Sequence, residues 1–142
     1  GLCFGISKYA PIYSAFPIST QKITYNLEST VPHRDLFLLD QGLEYWAEQG
    51  VLMLNSALTS SRQGGHMNAW GWFIINVLQL LDQEGLPFVA IGDYPQKMMT
   101  KFVTKGHLIK CQDTTEVNHM GYWDVNIFNQ VNEVLSKPIS WH

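Results

Sequence analysis

The chain has 142 residues, of which 46% are hydrophobic and 15% are charged, so it suits one globular domain over residues 1–142 with a single core. Its net charge of −3 argues against a strongly basic nucleic-acid surface, although nine Lys and Arg residues leave room for a local positive groove. Because two cysteines are too few for a disulfide framework and no apolar stretch reaches the roughly 20 residues of a membrane span, we expect an intracellular protein with no membrane partner.

Apolar spacing predicts two helices in the first third of the chain. Ser19 or Thr20 is expected to cap a helix that runs to about Val31. Asp40 is expected to begin a second helix, and Gly50 fits the position just beyond its end.

An apolar run without alternation at residues 51–54 predicts a short strand that is buried on both faces. We then expect a polar loop at residues 55–68 and a helix at 69–84 that ends before Gly85. A strand at 88–91, a helix at 94–104, a strand at 107–111 and a final helix at 125–135 are expected to follow. Trp70, Trp72 and Phe73 lie in the first of these helices. We expect them to belong to the core rather than to a binding surface.

Strands that alternate with helices predict an α/β domain with a parallel sheet. In such sheets, ligands bind beyond the carboxyl ends of the strands. The pairs Gly92–Asp93 and Gln112–Asp113 each follow a predicted strand, as does Asn55. We therefore expect these residues to converge on one rim of the sheet.

Asn55 and Phe4 have side chains suited to recognising a planar base. The carboxamide of Asn55 offers one donor and one acceptor in the same plane, which matches a base edge. The ring of Phe4 offers a surface on which a base can stack. Taken alone, however, Asn55 is also typical of a residue that caps a turn, and Phe4 is also typical of a core residue.

Several short sequence words place these two residues in a wider pattern. GLCF occurs at residues 1–4, QGVLMLNSALT at 49–59, GW at 71–72 and KPISW at 137–141. In this order and spacing the words resemble the uracil-DNA glycosylase family. The segment at residues 121–135, with its GYW and NEVL, resembles the last helix of that family.

The resemblance implies a fold, a reaction and a set of site residues. The fold is a three-layer α/β/α arrangement around a short, four-stranded parallel sheet. Members flip a uracil out of DNA and hydrolyse its glycosidic bond, so uracil-containing or single-stranded DNA is the implied partner and no cofactor is expected. Phe4 matches the Phe that stacks on the base, and Asn55 matches the Asn that hydrogen-bonds the uracil edge. DNA contacts are implied for Ser56, His66, Gly92, Asp93, Thr114, Thr115 and Val117.

Departures from the family pattern bear on activity. The family's water-activating Asp lies in a GQDPY motif before GLCF, and this sequence contains no such motif, so upstream residues, another segment or a partner would have to supply it. Asp113 stands where the family has the His that stabilises charge on the uracil oxygen, and a carboxylate there opposes catalysis. His119 could substitute for that His. Asp93 replaces a Ser that contacts a DNA phosphate, which a carboxylate repels.

Each of these polar residues also has a simpler interpretation. Asp93 and Asp113 are typical of surface caps for the helices or turns that follow them, and His66 is typical of a solvated loop. A phosphate-contacting rim is one interpretation of the basic residues, and scattered solvated side chains are the other. The residues concerned are Arg62, Lys97, Lys101 and Lys105.

Three hypotheses follow from the sequence, and none involves a metal, because the Cys and His residues lack zinc-type spacing. The first is a degenerate uracil-DNA glycosylase-like protein that binds DNA, or a protein of a repair or replication assembly, with little or no excision. The second is an active enzyme whose catalytic Asp lies outside this sequence, with Asp113 or His119 adapted to an altered substrate. The third, a DNA mimic, is disfavoured because the chain has no acidic run. We expect the first.

Overall fold

The computed structural model of the chain describes residues 3–6, 9, 17–31 and 42–141. They group into two compact units. One combines the described residues up to Leu54 with those from Asp113 onwards, and the other spans Asn55–Gln112. In this part of the chain the helices and strands are α1 Ile18–Thr30, α2 Glu44–Glu48, β1 Ser60–Ser61, β2 Gly64–Gly65, α3 Met67–Asp82, β3 Pro87–Ile91, α4 Asp93–Phe102, β4 His107–Cys111 and α5 Ile127–Val134. No described helix is both long and apolar enough to cross a membrane.

A parallel strand pair lies at the centre of the second unit. Strands β3 and β4 pair in a register that sets Pro87 beside His107 and Ile91 beside Cys111. Because parallel neighbours need a crossover, α4 connects them and packs on both. The inward side chains of the sheet are buried, with Ala90 0% and Ile109 4% exposed. This βαβ unit confirms the predicted α/β class, although the described residues pair two parallel strands rather than four.

Gly106 allows the chain to enter β4 at very close range. A Cβ at this position would lie 2.4 Å from the carbonyl oxygen of Leu86 and 2.5 Å from a ring carbon of Phe88. Real Cβ contacts are not this short, so glycine is required where two stretches of backbone approach so closely.

Asp82, the last residue of α3, anchors the turn before β4. Its carboxylate accepts hydrogen bonds from the backbone N–H groups of Thr104, Lys105 and Gly106 at 2.7–3.1 Å, and from the Thr104 hydroxyl at 3.0 Å. Burial favours the neutral acid, but these bonds to the charged form outweigh it and lower the pKa of Asp82 to about 2. The carboxylate therefore fixes the path of the chain between α4 and β4.

The predicted polar loop at residues 55–68 contains a small hairpin. Ser60 pairs with Gly65 and Ser61 with Gly64 in antiparallel register, which leaves Arg62 and Gln63 as a two-residue turn. Gly64 has φ 117°, a backbone conformation that non-glycine residues rarely adopt. The Ser and Gly residues that made this stretch resemble a loop thus form the two short strands on either side of a tight turn.

The strand predicted at residues 51–54 is wrong. This segment forms no ladder with the described residues, and Leu52 is 59% exposed rather than buried on both faces. The carbonyl of Met53 accepts a bond from the Cys3 N–H at 3.4 Å. An apolar run makes burial favourable, but a strand also needs a neighbouring strand, which the run itself does not specify.

The helix starts also differ from the predictions. Helix α1 follows Pro17, whose side chain has no hydrogen-bonding group, and it has no side-chain cap. Thr20 lies inside the helix, and its hydroxyl donates to the Phe4 carbonyl. Asp40, expected to begin the second helix, lies outside the described residues, and α2 begins at Glu44. Gly50 does take the predicted position beyond the helix, with φ 92°.

Aromatic side chains form the core of the first unit. The rings of Trp46, Phe128 and Trp141 meet edge to face at centroid distances of 5.0–5.6 Å, and the Trp46 indole N–H donates to the Trp141 carbonyl at 2.8 Å. Gln49 and Ser140 add a reciprocal pair of bonds, each 2.8 Å long. The end of the KPISW segment therefore packs into the aromatic core of this unit and is held there by hydrogen bonds to Trp46 and Gln49.

The aromatic side chains of α3 are more exposed than predicted. Trp72 is 77% and Phe73 49% exposed, whereas Ile74 and Leu78 are each 3% exposed. A helix that carries apolar residues around most of its circumference can bury only the side that packs on a neighbour. The expectation that Trp72 and Phe73 belong to the core is therefore wrong for this structure.

Candidate functional site

The carboxyl edge of the βαβ unit brings together two of the three predicted strand-end positions. Since Ile91 and Cys111 are paired, Gly92 and Gln112 follow at neighbouring strand ends. The Gly92 N–H donates to the Cys111 carbonyl at 2.9 Å, and the Gln96 side-chain amide donates to the same oxygen at 2.7 Å. This edge of the sheet is thereby fixed to the first turn of α4.

Gly92 occupies a backbone conformation that is essentially restricted to glycine. Its φ of 88° and ψ of 169° place it immediately before α4. Asp93 is the first residue of the helix and is exposed. A carboxylate in the first turn interacts favourably with the helix dipole, so the interpretation of Asp93 as a helix-start residue is consistent with its position.

Asn55 and Ser56 begin the second unit. The side chain of Asn55 is exposed and that of Ser56 is half-buried. The expectation that Asn55 joins the rim depended on a strand at residues 51–54, which the described residues do not form. The position of Asn55 at the rim therefore stays a prediction.

His66 belongs to a hydrogen-bonded cluster with Thr59 and Trp70. The Thr59 hydroxyl oxygen lies 2.9 Å from His66 Nδ1, and the Trp70 indole N–H donates to that hydroxyl oxygen at 2.8 Å. The His66 backbone N–H donates to the Thr59 carbonyl at 3.0 Å. His66 is exposed, but its ring is held by these contacts, unlike the ring of an ordinary solvated loop residue.

Phe4 lies in the first unit in an unusual backbone conformation. It has φ 65°, which costs a residue with a Cβ roughly 1–2 kcal/mol. Its carbonyl accepts a hydrogen bond of 3.0 Å from the buried Thr20 hydroxyl, and its side chain is half-buried. Strained residues of this kind cluster at ligand sites, where the surrounding structure holds them in place.

Asp113 caps a turn. Its carboxylate accepts bonds from the backbone N–H of Thr115 at 2.9 Å and from the Thr115 hydroxyl at 2.7 Å, and its carbonyl accepts from the Glu116 N–H at 2.9 Å. Thr114 is buried, whereas Val117 is 43% exposed. The structure thus brings Asp113 and Thr115 together as a local turn motif, in line with the simpler interpretation of Asp113.

His119 lies in a different turn, which Asn118 organises. The Asn118 carboxamide oxygen accepts from the backbone N–H groups of Met120 at 2.9 Å and Tyr122 at 3.1 Å. The ring of Tyr122 stacks on that of Tyr25, with centroids 4.9 Å apart. His119 is exposed on this constrained turn, separate from the turn that holds Asp113.

No metal-binding cluster occurs among the described residues, where no three His, Cys, Asp or Glu side chains form a suitable group. Burial raises the pKa of the Cys3 thiol to about 11, although the Phe4 backbone N–H lowers it in part. Cys3 is therefore a protonated thiol at neutral pH and lacks the thiolate character of a nucleophile or metal ligand.

Comparisons with known proteins identify the family, although no family model matches the chain. A uracil-DNA glycosylase of Azotobacter vinelandii is 28% identical over 153 aligned positions, which cover 100% of this chain and 63% of the relative. A uracil-DNA glycosylase of Idiomarina loihiensis is 30% identical, with 99% of this chain and 70% of the relative covered. The chain belongs to the uracil-DNA glycosylase family.

The fold of this uracil-DNA glycosylase family member has a solved counterpart. A mimivirus UNG variant in complex with UGI matches 99% of the chain with a TM-score of 0.73, at 23% identity. The predicted three-layer α/β/α fold of the family is thereby confirmed. The chain spans 60% of the length of that structure and 63% of the Azotobacter relative.

Three residues of this family member hold predicted site residues in place, a role that the sequence analysis did not predict. Thr59 and Trp70 hold His66, and Thr20 holds Phe4. Gly64 and Gly65 are a sequence signal for a hairpin, but as central turn residues they would pair Gln63 with His66, whereas the observed turn at Arg62 and Gln63 sets Thr59 opposite His66. No comparable signal connects Thr20 with Phe4, because that contact depends on how the chain folds back over 16 residues.

Proposed function

We propose that this protein binds single-stranded or uracil-containing DNA through a retained base-recognition site, and that it excises the base slowly or not at all. Asp113 carries this proposal. It stands where the resemblance places a charge-stabilising His, and its carboxylate is engaged in a turn with Thr115. A stabilising donor of this kind contributes about 10²–10³ in rate, and a carboxylate acts against charge that develops on the base.

Asp93 further weakens an enzyme that depends on tight DNA contacts. It is exposed at the first position of α4, directly after Gly92. Its charge repels a phosphate at the place where the family pattern has a Ser hydroxyl. Asp93 and Asp113 therefore act in the same direction, since both oppose negative charge on the substrate.

Base recognition rests on Asn55 and Phe4. The Asn55 carboxamide is exposed and can donate to and accept from a base edge. The strained backbone of Phe4, held by Thr20, favours a role in a ligand site over a core position. We propose that Phe4 stacks on a base, a contact that contributes roughly 1–3 kcal/mol, and that Asn55 reads its edge.

A stretch without acidic residues favours DNA binding by the second unit. Residues 55–81 of this unit contain no Asp or Glu, and the charged side chain in this stretch is that of Arg62. Arg62 lies in the hairpin turn between β1 and β2 and is exposed, as is His66 at the end of the hairpin. Despite the overall charge of −3, this stretch can approach a phosphate without repulsion from its own side chains.

An active glycosylase is the second candidate function, and His119 favours it. This His is exposed on the turn that Asn118 organises, six positions beyond Asp113. In this proposal His119 donates to the base oxygen. A water held by a carboxylate outside this sequence adds to the sugar carbon as the glycosidic bond breaks, the carboxylate takes a proton from the water, and the base leaves as an anion that His119 stabilises.

A single-turnover assay with excess protein and a labelled single-stranded oligonucleotide that contains one uracil separates these functions. We expect a gel shift without alkali-labile cleavage. Cleavage would establish the active enzyme, and His119→Ala should then lower its rate. The absence of both a gel shift and cleavage would refute DNA binding. A protein of a repair or replication assembly would then remain as the partner.

The base-reading role of Asn55 has its own test. Asn55→Asp should reduce the preference for uracil over cytosine in the oligonucleotide, because the carboxylate no longer donates to a base edge. Asn76→Asp, an exposed site on α3, is the matched control and should leave the preference unchanged. Equal affinities of the wild type and Asn55→Asp for both oligonucleotides would exclude the base-reading role.

A further inference from the structure

Thr59 and His66 face each other across the base of the β1–β2 hairpin. The hairpin pairs Ser60 with Gly65, and the bond from the His66 N–H to the Thr59 carbonyl continues the ladder by one residue pair. Residues directly opposite in an antiparallel ladder have their side chains on the same face. This register explains why the Thr59 hydroxyl reaches His66 Nδ1 at 2.9 Å.

Trp70 joins the pair through the start of α3. Its backbone N–H bonds to the His66 carbonyl at 3.2 Å, so it lies one helical turn beyond His66 on the same side. Its indole N–H donates to the Thr59 hydroxyl at 2.8 Å, and its ring packs edge to face on Phe73 at 5.7 Å. Backbone and ring contacts therefore fix the direction of the indole N–H.

The donor and acceptor capacities of the three groups fix the direction of the Trp70 bond and favour one direction for the His66 bond. An indole N–H can only donate, so the Thr59 oxygen is the acceptor of the Trp70 bond. Because one lone pair of the Thr59 oxygen is engaged by Trp70, the hydroxyl is better placed to donate its proton to His66 Nδ1 than to accept a second bond. With Nδ1 as an acceptor, the ring proton of neutral His66 resides on Nε2.

We propose that Thr59 and Trp70 are positioning residues that hold His66 as an Nε2–H donor toward a phosphate of bound single-stranded DNA. The use of the donor on DNA rests on the proposed function, whereas the ring tautomer does not. A donor fixed before binding loses less conformational freedom when the DNA arrives than a freely rotating imidazole does. The exposed position of His66 leaves Nε2 as the ring nitrogen for the ligand.

The tautomer can be measured directly in the protein without DNA. Long-range ¹H–¹⁵N NMR of the imidazole distinguishes Nε2–H from Nδ1–H in neutral His66. We expect Nε2–H in the wild type, and a mixture of tautomers in Thr59→Val, which keeps the shape of the side chain and lacks its hydroxyl. Thr59→Ser should restore the wild-type spectrum, and Trp70→Phe should weaken the preference for Nε2–H.

Binding of a fluorescent single-stranded oligonucleotide tests the use of this donor. Thr59→Val should weaken binding by roughly threefold to tenfold, the effect of one typical hydrogen bond, and Thr59→Ser should restore it. In a His66→Ala background, Thr59→Val should have no further effect. The matched control is Thr100→Val, which removes a hydroxyl that bonds within α4 in the same unit and should leave both measurements unchanged.

The positioning role is overturned if Thr59→Val keeps the wild-type tautomer, or if it weakens binding equally with and without His66. Absence of oligonucleotide binding by the wild type would instead refute the proposed function. In that event the NMR measurement still decides whether Thr59 fixes the His66 ring.

Discussion

The hydroxyl of Thr20 donates to the carbonyl of Phe4 across 3.0 Å, and the backbone of Phe4 is left-handed, with φ 65°. Thr20 is 5% exposed, so its hydroxyl would be costly to leave without a partner. The same bond therefore satisfies a buried polar group and holds Phe4 in a conformation that a residue with a Cβ avoids. A helix residue thus fixes the backbone of a candidate base-stacking residue.

The strain at Phe4 predicts an unusual order of stability for two variants. Phe4→Gly and Phe4→Ala both remove the ring, but only Ala keeps the left-handed strain. We expect Phe4→Gly to be more stable than Phe4→Ala by about 1 kcal/mol. Gly is free of the left-handed strain that Ala keeps, but its greater conformational freedom in the unfolded chain offsets part of this advantage. Urea denaturation measures the difference, and a more stable Ala variant would contradict the conformation. Both variants should bind the uracil oligonucleotide more weakly than the wild type does.

Gly92 should tolerate no side chain at the strand end. In Gly92→Ala, a φ of 88° with ψ 169° is expected to cost about 1–3 kcal/mol of unfolding free energy. Gly71→Ala, where a Cβ meets open space in α3, should instead stabilise the protein by up to about 1 kcal/mol. Thermal denaturation followed by circular dichroism should therefore give shifts of opposite sign, and shifts of the same sign would rule out this account of Gly92.

The lowered pKa of the Asp82 carboxyl predicts a loss of folding stability in acid. Its pKa is lowered to about 2 in the folded protein, below the roughly 3.9 of an unfolded chain. The carboxylate therefore contributes stability fully above about pH 4, and this contribution is lost as the pH falls from about 4 towards 2. Asp82→Asn should be less stable at pH 7 and should lose less stability over that range.

Denaturation at a series of pH values tests the Asp82 prediction. Glu84→Gln, which removes an exposed carboxylate two residues away, is the control and should follow the wild-type acid dependence. Parallel stability curves for the wild type and Asp82→Asn between pH 4 and 2 would show that the carboxylate has no lowered pKa.

Asp113→Asn isolates the effect of charge at the turn. The carboxamide oxygen of Asn can replace the carboxylate oxygen of Asp113 as the acceptor of the bonds from Thr115, so we expect nearly unchanged stability. Removal of a negative charge should tighten binding to single-stranded DNA a few-fold, and the gain should shrink at high salt. Asp124→Asn, an exposed residue of the same unit, provides the charge-matched control. Equal effects of the two substitutions would indicate a general electrostatic effect rather than a phosphate or base near Asp113.

The parts of the fold that depend on local periodicity were predicted well. Strand β4 has the predicted bounds, and α4 at Asp93–Phe102 differs from its prediction by one or two residues at each end. The alternation of strand and helix is enough to specify a βαβ unit because chain connectivity and handedness leave few alternatives. The failure at residues 51–54 is of another kind, since an apolar run carries no information about its neighbour.

The candidate site residues also differ in whether local sequence predicts their contacts. The turn formed by Asp113 and Thr115 is local and was among the expected interpretations. The cluster of Thr59, His66 and Trp70 requires a hairpin register and a helix start at once, so no single periodicity reveals it. Base recognition by Asn55 and Phe4 follows from the family resemblance and stays a prediction.

The division of the chain into two units also has a consequence for the order of folding. The unit at Asn55–Gln112 is continuous in sequence, so a ribosome completes it before any residue from Asp113 onwards emerges. The other unit needs contacts such as Trp46 with Trp141, 95 residues apart, and contacts that close such long loops form late. During synthesis Trp46 therefore remains without its Trp141 partner after the inserted unit is complete, and its exposed apolar surface makes this stage prone to aggregation and chaperone binding.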